Sequence, residues 1–284
     1  MSAAGGAPQL VPDGPRGLTV AVGSGKGGVG KTSVVANLAI ALARDGCRAT
    51  LIDGDMGLAS LDVLLGLTPT RTIEHFFREH VPLEDIAIEG PHGLRLIPGG
   101  SGLPELACLT AEELQRFVEA LDGLRETNDI VLLDTAAGIG EGASRLWLLA
   151  DRFLLVAWPE PTALVAAYAA LKVLRRRGAK HDVGLVVNGV ESEEEAQNVH
   201  QRLDAACQRF LDQRVFFDGF VMRDDAVADA ARRRQALVQL HPCSPASQCI
   251  DRLAIHFAAL AGRQPRGGDR RTWPRIFQLG EVVH

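Results

Sequence analysis

Short, unbroken apolar runs alternate along this chain with longer stretches in which apolar residues recur every three or four positions. The runs at 130–133 and 153–157 are continuously apolar, and those at 18–22, 49–52 and 183–187 are apolar but for Thr19, Thr50 and Gly184, the pattern of strands covered on both faces. A shorter run at 94–97 breaks at Pro98-Gly99-Gly100, and 215–217, extending toward 221, is the last strand candidate. Helical spacing marks 32–44, 73–79, 112–121, 162–176, 193–211, 225–233 and 246–260. Strands alternating with helices predict an α/β fold: a doubly wound, mainly parallel sheet with helices on both faces. Neither an internal repeat nor a second domain is visible. Residues 17–262 are therefore expected to form one domain, between a flexible Ala/Gly/Pro-rich leader (1–16) and a C-terminal tail (263–284).

Composition narrows the class. Of 284 residues, 46% are hydrophobic and 23% charged, the balance of a globular protein with a sizeable core. The formal net charge is −5, which argues against a global attraction to nucleic acid or acidic lipid. Five cysteines at irregular spacing, without a C-x-x-C pair, fit buried thiols in a reducing cytosol better than a disulfide or zinc framework. The N-terminus lacks the basic start and apolar run of a signal peptide, and charges interrupt every apolar stretch before it could span a bilayer.

The chemistry concentrates in Gly25-Lys26-Gly27-Gly28-Val29-Gly30-Lys31-Thr32, which fits G-x-x-x-x-G-K-[ST] between a strand and a helix. Glycines let the backbone wrap a phosphate closely, with its N–H groups and the helix N-terminus facing the anion. Lys31 is expected on the β- and γ-phosphates, the Thr32 hydroxyl on Mg2+, and Ser33 on the α-phosphate. The alternative is an ordinary glycine-rich turn. Asp53 and Asp55 follow a strand, where open α/β sheets hold their ligands. Alone, such a D-x-D equally describes a turn of solvated acids; beside the phosphate loop it reads as a metal and water site. Asp134 ends the run at 130–133, the setting of a magnesium-holding carboxylate, or of a helix cap. Asn188 follows the run at 183–187 and offers both donor and acceptor to a base edge, though Asn is also a common turn residue.

The second lysine, Lys26, gives K-G-G-x-G-K-[ST], and the chain thereby resembles the MinD/ParA family of deviant Walker A P-loop ATPases. The resemblance runs from about Leu18 to Leu260 and implies ATP or ADP with Mg2+ as ligands. It implies that Lys26 reaches across an ATP-bound homodimer to the partner's phosphates, that Asp55 positions the attacking water, and that Asp53 supports the magnesium shell. It further implies that Asn188 bonds the adenine, and that Asp134-Thr135-Ala136-Ala137-Gly138 is a switch sensing the γ-phosphate. Lys26, Lys31 and Asp55 are thus the expected catalytic residues. Gly57-Leu58-Ala59-Ser60-Leu61-Asp62, Ile97-Pro98-Gly99-Gly100-Ser101-Gly102 and Trp158-Pro159-Glu160-Pro161-Thr162-Ala163 resemble the FlhG/FleN branch, which regulates flagellar number. Ala166 and Met222 stand where that branch carries Asp and Pro.

That branch implies a slow, dimer-activated ATP hydrolase in the cytoplasm, at times peripheral at the inner membrane or cell pole. A flagellar GTPase or a transcription activator would be its partner, and the Trp273/Ile276/Phe277 face of the tail a membrane-docking element, the alternative being a tail packed on its own domain or disordered, since Pro274 and Gly280 leave any helix very short. The competing readings are a low-turnover nucleotide-binding regulator of a transcription activator and a ParA-like partition ATPase. The missing D-x-D-P-Q and the acidic balance weigh against the latter and against nucleic-acid binding.

Overall fold

The computed structural model describes residues 17–55, 61–100 and 109–263. The leader, the tail beyond Arg263, and the expectations for Gly57, Ser60 and Ser101 lie outside these. In chain order the elements are β1 (Leu18–Gly23), α1 (Lys31–Arg44), β2 (Ala49–Gly54), α2 (Leu61–Leu65), α3 (Ile73–Glu79), α4 (Leu83–Ile86), β3 (Ile88–Glu89) and β4 (Arg95–Ile97). There follow α5 (Ala111–Thr127), β5 (Ile130–Thr135), α6 (Glu141–Trp147), β6 (Arg152–Ala157), α7 (Pro161–Arg176) and β7 (Asp182–Val190). The chain continues through α8 (Glu193–Leu211), β8 (Phe216–Met222), α9 (Asp225–Arg233), α10 (Leu237–Leu240) and α11 (Pro245–Leu260).

The strands form one sheet of order β3-β4-β2-β5-β1-β6-β7-β8. Every pair is parallel except β3 with β4. Side chains alternate across each strand, so neighbouring residues enter opposite layers. Val20, Leu51, Leu132 and Leu154 pack under α1, α10 and α11; Ala21, Ile52, Leu133 and Leu155 pack under α3, α5, α6, α7 and α8. This two-sided burial is why the strands read as unbroken apolar runs.

The expected strand at 183–187 continues to Val190, so Asn188 lies inside β7 and not after it. A register irregularity against β8 between Asn188 and Val190 marks a bulge that lets the strand continue past the polar residue. Cys243 is exposed, against the expectation of buried thiols, while Cys47, Cys207 and Cys249 are buried. Arg263, expected to open the tail, is held on the Asp129 carboxylate. No helix among the described residues is long and apolar enough to cross a membrane.

Two charge clusters built on buried aspartates tie distant segments together. Arg152 on β6 donates to Asp218 on β8 at 2.6 Å, and His256 of α11 reaches the same carboxylate at 3.2 Å. Asp129, at the start of β5, accepts from Arg48 at 2.7 Å and from Arg263. Burial alone would push the Asp129 carboxyl up; the two guanidiniums and the Arg48 backbone N–H outweigh it and hold it at about 2.

Candidate functional site

The central strand β1 delivers the chain into the glycine loop at the carboxyl edge of the sheet. Gly28 and Gly30 take φ of 79° and 80°, the left-handed conformation that lets successive N–H groups turn inward. A Cβ at Gly28 would meet nothing within 4 Å, so the loop's surface is open there. At Gly25 a Cβ would lie 2.0 Å from the Ala166 carbonyl oxygen, so the loop is pressed against α7. Gly30 is the N-cap of α1 and makes no side-chain cap bond, which leaves the helix's first N–H groups for an anion.

Lys31 and Asp134 are buried and paired: Lys31 Nζ donates to Asp134 Oδ1, and also to Thr32 Oγ1 at 3.3 Å. Burial, reinforced by the nearby Asp55 charge, pushes the Asp134 carboxyl above its ordinary value against the opposing pull of Lys31 and Thr32. Ser33 is half-buried one position further into α1, its carbonyl accepting from Asn37 Nδ2 at 2.8 Å.

The register of β2 against β5 sets Asp53 directly beside Asp134. Asp53 is buried, and its two oxygens accept the backbone N–H groups of Asp55 at 3.1 Å and Leu61 at 3.2 Å. Its carboxylate thus shapes the turn that carries Asp55, which is itself half-buried. The D-x-D pair divides its labour: one acid anchors the turn and the other stands at its mouth.

These residues fit a magnesium-bound nucleoside phosphate. The loop offers an open bed of inward-turned N–H groups beside a buried lysine. The Thr32 hydroxyl and the Asp134 carboxylate are the hard oxygen donors that Mg2+ takes alongside phosphate oxygens and water. No group of three or more His, Cys, Asp or Glu able to hold a metal by itself occurs among the described residues.

The expected switch segment is physically tied to the loop. Thr135 donates its hydroxyl to the Val22 carbonyl at 2.9 Å and accepts from Trp147 Nε1 at 2.9 Å. Gly138 then donates its N–H to the Ser24 carbonyl at 2.8 Å. Trp147 was not legible as a site residue, because nothing local in Glu141–Trp147 records that its indole meets Thr135.

Lys26 reaches toward the start of α7. Its side chain is 48% exposed, with Nζ 3.6 Å from Glu160 Oε2 and 3.4 Å from Thr162 Oγ1. The loop's first lysine and the Pro-Glu-Pro-Thr segment, 136 residues apart in sequence, thus share one surface. Val165, 70% exposed, and Ile139, 48% exposed, lie in the neighbouring segments.

Asn188 braces the loop: its Nδ2 donates to the Val29 carbonyl at 2.8 Å. One N–H of the amide is spent on the loop, which leaves the second N–H and Oδ1 to address a base. The Asp224 carboxylate accepts from Ala226 at 2.9 Å and Ala246 at 3.1 Å, joining the start of α9 to that of α11.

A doubly wound sheet with this loop at its carboxyl edge defines a P-loop nucleotide-binding protein. Residues 20–238 match the CobQ/CobB/MinD/ParA nucleotide binding domain, and the chain belongs to that family as an ATPase of the MinD type. It is 37% identical over 235 residues to the antiactivator FleN of Pseudomonas aeruginosa, covering 83% of this chain and 84% of that protein. It is 33% identical over 237 residues to the flagellum site-determining protein YlxH of Helicobacter pylori, covering 83% and 80%. In structure it is similar to MinD of the MinC:MinD cell division complex of Aquifex aeolicus, with a TM-score of 0.70, 26% identity, and coverage of 89% of this chain and 99% of that one.

Proposed function

We propose that this chain is a nucleotide-timed regulator of flagellar assembly, in which two ATP-bound subunits close face to face and complete each other's sites. The observation that carries this reading is the outward placement of Lys26. A loop lysine that served its own phosphates would turn into the cradle, as Lys31 does; Lys26 instead stands 48% exposed toward Glu160 and Thr162. There it is available to a facing subunit, as a cation delivered to developing phosphate charge. Lys31, Thr32 and the loop N–H groups of Gly25, Gly27, Gly28, Val29 and Gly30 hold the phosphates. Thr32 and Asp134 hold Mg2+, with Asp53 supporting that shell by fixing the turn, and Asp55 orients the attacking water. Hydrolysis then releases the dimer.

The flagellar assignment is supported by the likeness to FleN and YlxH. The partner is a transcription activator or a flagellar GTPase, and the exposed Val165 of α7 and Ile139 of the segment after β5 supply apolar surface for it. Membrane contact is transient and belongs to the tail.

A subunit-mixing assay tests the shared site. Lys26→Ala and Asp55→Ala homodimers should each be nearly inactive. Mixed before ATP is added, they should regain about a quarter of wild-type hydrolysis, since random pairing makes half the dimers mixed and each of these holds one intact composite site. Absence of recovery would contradict a lysine acting across the interface.

A further inference from the structure

The last two residues of α6, Leu146 and Trp147, are buried against the ends of three strands. Trp147 Nε1 donates to Thr135 Oγ1 at 2.9 Å, at the end of β5, and lies 2.9 Å from where a Cβ on Gly23, the last residue of β1, would stand. Leu146 Cδ1 lies 2.8 Å from where a Cβ on Gly54, the last residue of β2, would stand. Each of these strand ends adjoins a part of the site: Gly23 leads into the phosphate loop, Gly54 precedes Asp55, and Thr135 follows Asp134. At the other end of α6, Glu141 directly follows the segment whose Gly138 is bonded to Ser24. The Thr135 hydroxyl is held from both sides, because it accepts from the indole and donates to the Val22 carbonyl at 2.9 Å. Phe153 backs the indole, with ring centroids 4.8 Å apart. Close packing of this kind transmits a shift rather than absorbing it.

We propose that Trp147 is a positioning residue for hydrolysis: its bond to Thr135 seats α6 on the three strand ends, so that the segment after β5 and the turn that presents Asp55 move together. This rests on the reading that Asp55 orients the attacking water. A rearrangement of residues 136–140 is carried along α6 to Leu146, which bears on the backbone one residue before Asp55. The indole N–H bonds Thr135 and not a phosphate- or metal-binding group, so its loss reaches the rate of hydrolysis and spares ground-state nucleotide binding.

The test is steady-state ATP hydrolysis by the full chain, beside calorimetric Mg-ADP binding, for wild type, Trp147→Phe, Thr135→Val, the double variant and Asp55→Ala. Phenylalanine keeps an aromatic ring and deletes the N–H; valine keeps the shape of threonine and deletes the hydroxyl that accepts it. Trp147→Phe should lower kcat about tenfold, the scale of one buried hydrogen bond, with KM and Mg-ADP affinity held within about threefold. Thr135→Val should lose at least as much, and the double variant no more than Thr135→Val, because both changes remove one link. An unchanged kcat in Trp147→Phe beside an inactive Asp55→Ala would overturn the role of Trp147 and leave Asp55 as the acid that orients water. Additive losses in the double variant would overturn the path through Thr135. Parallel losses of kcat and Mg-ADP affinity would reduce Trp147 to general packing. Should Trp147→Phe not fold, Thr135→Val leaves the aromatic pair intact and carries the same expectation, and a wild-type kcat there would overturn the proposal. Wild-type turnover in Asp55→Ala would overturn the reading of Asp55, and this inference with it.

Discussion

Gly138 donates its backbone N–H to the carbonyl of Ser24 at 2.8 Å, so the segment after β5 is bonded to the residue that leads into the phosphate loop. The bond requires Gly138 at φ of 91°, a conformation that side chains other than glycine rarely adopt. A change in the loop is thereby felt directly in the segment that carries the exposed Ile139. Gly138→Ala should cost about 1–2 kcal/mol in stability through strain at that φ. Hydrogen exchange should show residues 136–140 protected differently in ADP and ATP for wild type, and alike in the variant. A wild-type pattern in the variant would sever the proposed link.

The two loop lysines should separate cleanly. Lys31→Ala removes the buried cation of the cradle and should abolish measurable ADP binding. Lys26→Ala removes an exposed side chain outside its own cradle and should change ADP affinity by less than about threefold, in line with the small worth of exposed ion pairs. Calorimetric titration with Mg-ADP checks both. Equal losses in the two variants would place Lys26 in its own site.

The Arg152–Asp218 pair lies deep between β6 and β8, with Arg152 7% and Asp218 2% exposed. Asp218→Ala leaves a buried guanidinium without its main partner and should cost about 3–5 kcal/mol. Chemical denaturation measures that loss. Nucleotide affinity should be unchanged, because the pair packs against Gly184, near the start of β7, away from the phosphate loop.

Asp129 sets an acid limit on stability. Its folded-state value of about 2 lies below the unfolded value of about 3.9, so the stability it contributes is present above about pH 4 and lost as the pH falls toward 2. Asp129→Asn should be less stable than wild type at neutral pH. The difference between the two should shrink as a denaturation series is carried down through that window. A constant difference from pH 6 to pH 2 would contradict the role of the Arg48 and Arg263 contacts.

Most of the sheet was legible because its strands are buried on both faces, and a parallel strand of that kind leaves an unmistakable apolar run. The two-residue β3 and the helices α2, α4, α6 and α10 were not, since none is long enough to establish a period. The phosphate loop was legible because a local motif and its strand–helix setting coincide. What the sequence could not reveal were contacts between distant segments. Asn188 read as a base-binding or turn residue, and nothing local records that its amide will meet Val29; Lys26 and Glu160 likewise carry no mark of their proximity. The residues alone mark Asp53 and Asp55 as one D-x-D site, the family resemblance implies their separate roles, and the backbone geometry adds that Asp53 holds the turn that presents Asp55.

The account turns on ATP-dependent pairing of subunits. Mass in solution, measured by light scattering after gel filtration with Mg-ADP and with Mg-ATP, addresses it most directly for wild type and Asp55→Ala. The account predicts a monomer with ADP, a dimer with ATP, and an ATP dimer that persists in Asp55→Ala because hydrolysis no longer releases it. A monomer in every state would contradict the shared site.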